Sequence, residues 1–159
     1  MSHCSLKNIN STSNYMLLLT KTFYFEMAHA IHGYQGACKN IHGHSYELHV
    51  AISANSQEDG YIAAPGFIID FKELKQLVKS SIIDVLDHKL LLSKDYLSQN
   101  PGIHSQENLL IWNAEPTAEN LLLYIQAVIC EKLPKHVNLG RLRLYETKDS
   151  YAEWINDLF

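Results

Sequence analysis

Alternation of apolar and polar residues predicts two β-strands in the first third of the chain. In the stretch from residue 19 to residue 30, one face carries Phe23, Phe25 and Met27 and continues to His29. From residue 44 to residue 54, the same period of two groups the apolar side chains Tyr46, Leu48, Val50 and Ile52. A period of two is the repeat of an extended chain, whose successive side chains point to opposite faces.

Two later stretches repeat their apolar residues every three to four positions, as amphipathic helices do. The first begins after Asp70, a favoured N-cap residue, and is expected to end near residues 87–88. The second begins after Thr117 and ends before Pro134, and its apolar stripe predicts a buried Cys130. Further strands are predicted over residues 139–147 and 151–155, with a short strand-like segment at 67–69. Residues 91–115 show no clear hydrophobic period, so we expect a long irregular connection there, which we call the excursion.

This order of elements predicts an α+β fold in which two helices pack on one face of an antiparallel four-stranded sheet. Residues 1–14 are rich in serine and asparagine, so we expect a disordered polar tail there. The remainder, residues 15–159, is expected to form a single domain, because no linker or internal repeat interrupts it.

Composition narrows the range of partners. Hydrophobic residues make up 47% of the 159 residues, enough for a core without disulfides. The formal net charge is -4 and no basic stripe occurs, so we expect no direct nucleic-acid partner. The apolar runs are shorter than a bilayer span, and we expect no membrane insertion. The three cysteines are scattered and odd in number, which favours reduced thiols in a cytoplasmic protein.

The densest chemical signal is the pair His42 and His44. Two histidines at i and i+2 of an extended chain point to the same side, and His29 can join them from the neighbouring strand. Three neutral imidazoles suit Zn²⁺ and leave a fourth position open for water or substrate. The alternatives are a chance pair of surface histidines beside a turn, or His32 in place of His29. By the same alternation His49 faces away from the pair, and we interpret it as a surface residue.

Three further positions are candidates for chemistry. Cys38 lies in a loop beside Lys39, where a thiol can act as a proton acceptor or nucleophile. In Asp87-His88 the carboxylate can orient the imidazole, although His88 could equally complement the helix dipole. Glu146 falls on the inward, apolar face of its strand, where burying an unpaired carboxylate is costly. A ligand with paired N–H donors would satisfy it. The alternative is an ordinary glutamate in water at the end of a strand.

Five motifs follow one another along the chain: Phe25-Glu26-Met27-Ala28-His29, residues 38–44, Leu86-Asp87-His88, Pro116-Thr117-Ala118-Glu119-Asn120 and Tyr145-Glu146-Thr147. Their identity and order resemble those of the 6-pyruvoyltetrahydropterin and 6-carboxytetrahydropterin synthase family, and the resemblance runs from about residue 20 to residue 155. The resemblance implies the tunnelling fold, with subunits assembled into rings: a homo-oligomer, in this family a hexamer built from trimers, with sites between subunits.

The resemblance also implies roles for single residues. By position, the Zn²⁺ ligands are His29, His42 and His44. The proton-transfer triad is Cys38, Asp87 and His88. The pterin is anchored by Glu146, and its pocket is lined by Thr117 and Glu119.

The short gap between Cys38 and His42 resembles the carboxy-forming enzymes of the queuosine pathway. The activity implied is a zinc-dependent lyase that converts 7,8-dihydroneopterin triphosphate to 6-carboxytetrahydropterin, acetaldehyde and triphosphate. Two alternatives stay open: a pyruvoyl-forming synthase, and a non-catalytic protein that binds zinc or pterin. The excursion that ends near Glu115 is longer than in compact relatives, and it could reshape the pocket or decorate its rim.

Overall fold

The computed structural model describes residues 17–54 and 61–156. The described chain alternates strands and helices. In order these are β1 (Leu19–His29), β2 (His42–Ala54), α1 (Phe71–Val78), α2 (Asp84–Leu86), β3 (Lys89–Ser93), α3 (Lys94–Gln99), β4 (Leu109–Trp112), α4 (Ala118–Lys132), β5 (Val137–Tyr145) and β6 (Tyr151–Ile155). A π-helical turn, Lys79–Ile83, joins α1 to α2, and short 3-10 turns occur at Ala37–Lys39 and Pro101–Ser105. The tail predicted at residues 1–14 lies outside the described residues.

The strands form one six-stranded mixed sheet in the order β4-β3-β1-β2-β5-β6. The strand pairs β1–β2, β2–β5 and β5–β6 are antiparallel, as predicted. The register sets Met27 opposite His44 and His29 opposite His42. Residues directly opposite in a sheet point to the same face, so these side chains share one side.

The predicted four-stranded antiparallel sheet is wrong, because β3 and β4 extend it in parallel beyond β1. Both strands fall in or beside the stretch that showed no period. The reason is that β3 is buried on both faces: Leu91 belongs to the main core, while Leu90 and Leu92 pack under α3 on the other face. A strand covered on both sides loses the polar alternation that marks a half-buried strand. The segment predicted as a strand at 67–69 is a bend whose Ile68 and Ile69 are buried.

The main core lies between the sheet and the helices α1, α2 and α4. The N-caps predicted for α1 and α4 are confirmed. The Asp70 carboxylate accepts a hydrogen bond from the Lys72 N–H at 2.7 Å, and the Thr117 hydroxyl accepts from the Asn120 N–H at 3.3 Å. The core includes Phe25, Tyr46, Leu48, Leu74, Ile82, Leu86, Leu121, Ile125 and Ile129.

The first predicted helix corresponds to α1, the π-helical turn and α2 together, and the second corresponds to α4. The prediction of two helices on one face is incomplete, because α3 packs on the opposite face. Its Leu97 is buried against Ala30, Leu90 and Leu92. We call this group the second cluster. Cys130 was predicted to be buried but is exposed, since it lies at the edge of the α4 apolar stripe. Within the described ranges, no helix is both long and apolar enough to cross a membrane.

Candidate metal centre and active site

Three histidines meet at one end of β1 and β2, on the face that carries the core. The ligand atoms of His29, His42 and His44 all lie within 4.8 Å of one another. Their ring centroids are 4.5 to 5.1 Å apart. The grouping follows from the strand register together with the i, i+2 spacing, so the predicted cluster is confirmed as a geometry that could hold a metal ion.

Backbone carbonyls fix the orientation of two of the rings. His29 Nδ1 lies 2.6 Å from the Pro116 carbonyl oxygen, and His42 Nδ1 lies 2.8 Å from the Asn40 carbonyl oxygen. A carbonyl only accepts, so each Nδ1 carries the proton and each Nε2 keeps its lone pair. Metal-ligating histidines are commonly oriented by such partners.

The unpaired ring nitrogens are the strongest sign that the cluster can bind a metal ion. Nε2 of His29 and Nε2 of His44 are buried and have no hydrogen-bond partner among the described residues. A buried nitrogen without a partner is costly, and a metal ion bound at these lone pairs would satisfy both. Burial also lowers the pKa of His29, against the opposing effects of the Pro116 carbonyl and the Glu146 carboxylate. Burial therefore favours the neutral imidazole that a metal requires.

A carboxylate stands beside this centre. The hydroxyl of buried Tyr46 donates to Glu146 Oε1 at 3.1 Å, and the same oxygen lies 3.9 Å from His29 Nε2. Burial and the neighbouring carboxylate raise the pKa of Tyr46, so it stays a neutral donor. The Glu146 side chain is 28% exposed, which leaves part of the carboxylate open to a ligand. The inward orientation predicted for Glu146 agrees with these contacts.

The N-terminus of α4 lies next to the metal centre. Pro116, which holds His29, directly precedes Thr117, whose hydroxyl caps the helix. Glu119 is exposed in the first turn of the same helix. Both predicted pocket residues are thus placed at this end of the sheet, although no hydrogen bond or ion pair among the described residues joins either of them to the three histidines.

The predicted nucleophile lies in the loop between β1 and β2. Cys38 is exposed in the short 3-10 turn, and its carbonyl accepts a hydrogen bond from the Ile31 N–H at 2.9 Å. His32 is in the same loop but is not part of the histidine cluster. Its backbone N–H donates to Glu115 Oε2 at 2.7 Å. His29 rather than His32 therefore completes the cluster.

Asp87 and His88 form a pair at the start of β3. Asp87 Oδ1 accepts from the Glu26 backbone N–H at 2.9 Å and lies 3.0 Å from His88 Nδ1. The Glu26 N–H, and then His88, hold the pKa of the Asp87 carboxyl below its ordinary value. His88 has a φ of 59°, an unusual backbone conformation for a residue other than glycine. Its N–H donates to the Glu26 carbonyl at 2.6 Å, and its carbonyl accepts from Asn108 Nδ2 at 3.0 Å.

His88 lines a cavity of about 330 Å³, and His44 of the histidine cluster is also among the lining residues. Two further lining residues are Glu26 and Ser45, and the Ser45 hydroxyl donates to the Glu26 carboxylate at 2.8 Å. Glu26 and Ser45 alternate with the inward residues of β1 and β2. Cys38 is not among the residues that line the cavity. Among the described residues, no hydrogen bond or ion pair joins Cys38 to Asp87 or His88.

His49 lies on the face of the sheet opposite the histidine cluster, as the alternation predicted. It is half-buried rather than a plain surface residue, because its Nε2 lies 2.6 Å from the Glu47 carboxylate and its ring packs on Tyr145.

The sequence did not identify several residues that support the histidine cluster. Asn40 and Pro116 act through their backbone carbonyls, which every residue type has, so their side chains gave no signal. Tyr46 was predicted only as a core residue, yet its position two residues after His44 on the same face could have indicated a place beside the metal centre. Glu115 was treated only as the end of the excursion.

Comparison with known proteins agrees with this geometry. The sequence profile of the family described as 6-pyruvoyl tetrahydropterin synthase matches residues 18–156. The chain therefore belongs to this family of enzymes, and the resemblance drawn from the five motifs is confirmed.

Among individual relatives, the chain is 32% identical over 143 residues to the 6-carboxy-5,6,7,8-tetrahydropterin synthase of Haemophilus influenzae, covering 87% of this chain and 99% of that protein. It is also 32% identical over 142 residues to the enzyme of the same name from Rickettsia felis, with the same coverage.

Solved structures share the fold at lower identity. An uncharacterized protein of Wolinella succinogenes superposes with a TM-score of 0.73 at 16% identity, covering 91% of this chain and all of that one. The 6-pyruvoyl tetrahydropterin synthase of Caenorhabditis elegans superposes with a TM-score of 0.61 at 18% identity, covering 90% and 97%.

Proposed function

We propose that the protein is a zinc-dependent carbon–carbon lyase that converts 7,8-dihydroneopterin triphosphate to 6-carboxytetrahydropterin, acetaldehyde and triphosphate, as a cytoplasmic enzyme of queuosine biosynthesis. The observation that carries the proposal is the cluster of His29, His42 and His44, in which carbonyls orient two rings and two buried Nε2 atoms lack partners. The names of the relatives that cover most of the chain favour the carboxy-forming reaction over the pyruvoyl-forming one.

These three histidines would hold the zinc ion. Three neutral imidazoles match the ligand set of catalytic zinc sites, which leave one position for substrate. Zinc bound there would supply Lewis-acid polarisation of the hydroxyl groups on the substrate side chain. Because backbone carbonyls hold two of the three rings, those of His29 and His42, most of the site is oriented before the ion and the substrate arrive.

The remaining roles belong to side chains of this protein. Glu146, fixed by the Tyr46 hydroxyl, would accept the paired N–H donors of the pterin, with Thr117 and Glu119 at the edge of the pocket. Such anchoring aligns the side chain of the substrate with the proton-transferring groups. Cys38, as a thiolate, would remove a proton from the substrate side chain.

His88 would return protons from its Nε2. Its Nδ1 points at the Asp87 carboxylate, which keeps that nitrogen protonated and leaves the other free for exchange. The exposed His88 imidazole lines a cavity that His44 of the histidine cluster also lines. Because the family resemblance implies sites formed between subunits, we place Asp87 and His88 in a site completed by Cys38 of a neighbouring copy, within a homo-oligomer.

The product assay tests the proposal directly. Purified protein loaded with zinc is incubated with 7,8-dihydroneopterin triphosphate, the pterins are identified by mass spectrometry, and acetaldehyde is measured separately. A 6-carboxy pterin with an equal amount of acetaldehyde is the expected result. A pyruvoyl pterin would place the protein with the pyruvoyl-forming enzymes, and the absence of any product from zinc-loaded protein would favour a binding protein.

Replacing the thiol separates an enzyme from a binder. Cys38→Ala is expected to lower turnover by a factor of about 10² to 10⁴, the usual contribution of a proton-transfer group, without changing the zinc content. Cys130→Ala, which removes the exposed thiol on α4, is the matched control. Equal turnover of Cys38→Ala and Cys130→Ala would show that Cys38 takes no part in the reaction.

A further inference from the structure

The loop between β1 and β2 carries Cys38 and connects two histidines of the metal centre. Most of its hydrogen bonds are internal. The Ile31 N–H donates to the Cys38 carbonyl at 2.9 Å, and the Asn40 N–H donates to the Ala37 carbonyl at 3.0 Å. Such bonds give the loop its own shape. They do not fix its position relative to the rest of the site.

One contact does reach the loop from a distant part of the chain. Glu115 Oε2 accepts a hydrogen bond from the His32 backbone N–H at 2.7 Å, across 83 positions of sequence and in a partly buried setting. Within residues 17–54 and 61–156, the other hydrogen bonds of residues 32–40 stay inside the loop and its flanking strands. Glu115 is thus the tether that joins the loop to the start of α4.

The segment that supplies this tether is itself firmly held. The Glu115 carbonyl accepts from Asn120 Nδ2 at 2.8 Å and from the Thr117 N–H at 2.9 Å. The next residue, Pro116, accepts from buried His29 Nδ1 at 2.6 Å. Two adjacent residues therefore reach two different parts of the site: Pro116 orients a metal ligand, and Glu115 holds the loop that carries the thiol.

We propose that Glu115 is a positioning residue, which sets the location of the Cys38 loop relative to the metal centre through the His32 N–H. The inference rests on the proposed function, in which Cys38 moves a proton of the bound substrate. The role requires an acceptor oxygen at this position and does not require a negative charge. A displacement of about 1 Å at a reacting group can cost about a hundredfold in rate. Loss of the tether should therefore lower kcat much more than it changes KM.

Three substitutions separate the acceptor from the charge and from side-chain volume. Glu115→Ala removes the side chain, Glu115→Met keeps its length without an acceptor oxygen, and Glu115→Gln keeps an acceptor without the charge. Glu131→Ala, an exposed glutamate near the far end of α4, is the matched control. Each zinc-loaded protein is assayed for kcat and KM, for zinc content, and for amide hydrogen exchange over residues 31–39.

We expect the Ala and Met variants to lose kcat by about 10- to 100-fold with KM within about twofold and zinc content unchanged. Exchange over residues 31–39 should quicken by about tenfold or more in these two variants. The Gln variant and the control should stay within about threefold of the unsubstituted protein in kcat, because the Gln oxygen still accepts the His32 N–H. This rescue by Gln distinguishes the tether from a role of the charge.

Three results would overturn the inference: unchanged kcat and exchange in the Ala and Met variants, a Gln variant as impaired as Ala, or loss of zinc in step with loss of turnover. The last would mean that Glu115 acts on the metal ligand. Failure of the proposed function is separate, since it would appear as no pterin product from the unsubstituted protein. The exchange data would then still decide whether Glu115 holds the loop.

Discussion

Removing one oxygen atom from Tyr46 tests how the carboxylate beside the metal centre is held. Tyr46 is fully buried, its ring stacks on Phe25 with centroids 5.0 Å apart, and its hydroxyl donates to Glu146 at 3.1 Å. Tyr46→Phe keeps the ring and its packing, so the change is confined to this hydrogen bond. The Glu146 carboxylate would then be free to turn away from the orientation in which it meets a ligand.

The size of the effect follows from the exposure of the carboxylate. A hydrogen bond to a charged group contributes about 1.5–3 kcal/mol. Glu146 is 28% exposed, so water replaces part of the lost bond, and we expect a net cost of about 1–1.5 kcal/mol. Since about 1.4 kcal/mol corresponds to a tenfold change in affinity, pterin binding should weaken by about 5- to 12-fold.

Calorimetric titration with 7,8-dihydroneopterin measures this affinity, and zinc content is determined on the same samples. Tyr24→Phe is the control, because Tyr24 is 68% exposed on the opposite face of the sheet. Zinc content should be equal in all three proteins. Pterin affinity within twofold of the unsubstituted protein would show that Tyr46 does not hold Glu146 for ligand binding. Loss of zinc would show that the hydroxyl supports the metal centre instead.

Three further outcomes are expected. His44→Ala should weaken metal binding by more than about a hundredfold, measured by competition with a chelator, while His49→Ala on the opposite face should leave it unchanged. Metal-free protein should lose stability as the pH falls below 6.5, the ordinary pKa of histidine, because buried His29 has a lowered pKa and the unfolded chain takes up its proton. Denaturant unfolding between pH 5 and 8 should show this loss and its absence in His29→Gln. Leu97→Ala should cost about 2–4 kcal/mol of unfolding free energy, since Leu97 is buried in the second cluster, and a cost below about 1 kcal/mol would mean that α3 packs loosely.

The antiparallel part of the fold could be predicted because its strands are buried on one face only. The apolar side chains of β1 and β2 alternate with exposed ones, and this alternation also placed His29 beside His42 and His44. The N-caps Asp70 and Thr117 could be predicted because their side chains accept the hydrogen bonds of the first helical turn, and only certain residue types can do so.

The strand β3 could not be predicted from residue type. Leu90 and Leu92 pack on one face of β3 and Leu91 packs on the other, so the three consecutive leucines showed no alternation of apolar and polar residues. The carbonyl of Pro116 that orients His29 belongs to the backbone, and any residue at that position would supply one. The motifs give only the order of Cys38, Asp87 and His88 along the chain, so the sequence could not predict that Asp87 is held by the Glu26 N–H of a neighbouring strand.

The parallel pairing of β3 with β4 has a consequence for how this chain can vary in length. Ser93, the last residue of β3, pairs with Trp112, the last residue of β4, so the residues on either side of the segment 94–111, which contains α3 and most of β4, are neighbours. Adjacent strands lie about 4.8 Å apart, so a few residues could connect Ser93 to Trp112 if α3 and β4 were absent. Because β4 is an edge strand, loss of this segment would unpair one side of β3 and uncover Leu90 and Leu92, while every pairing between β1 and β2 would remain. Relatives of this chain could therefore differ in length over residues 94–111 and still keep the strands that carry the three histidines.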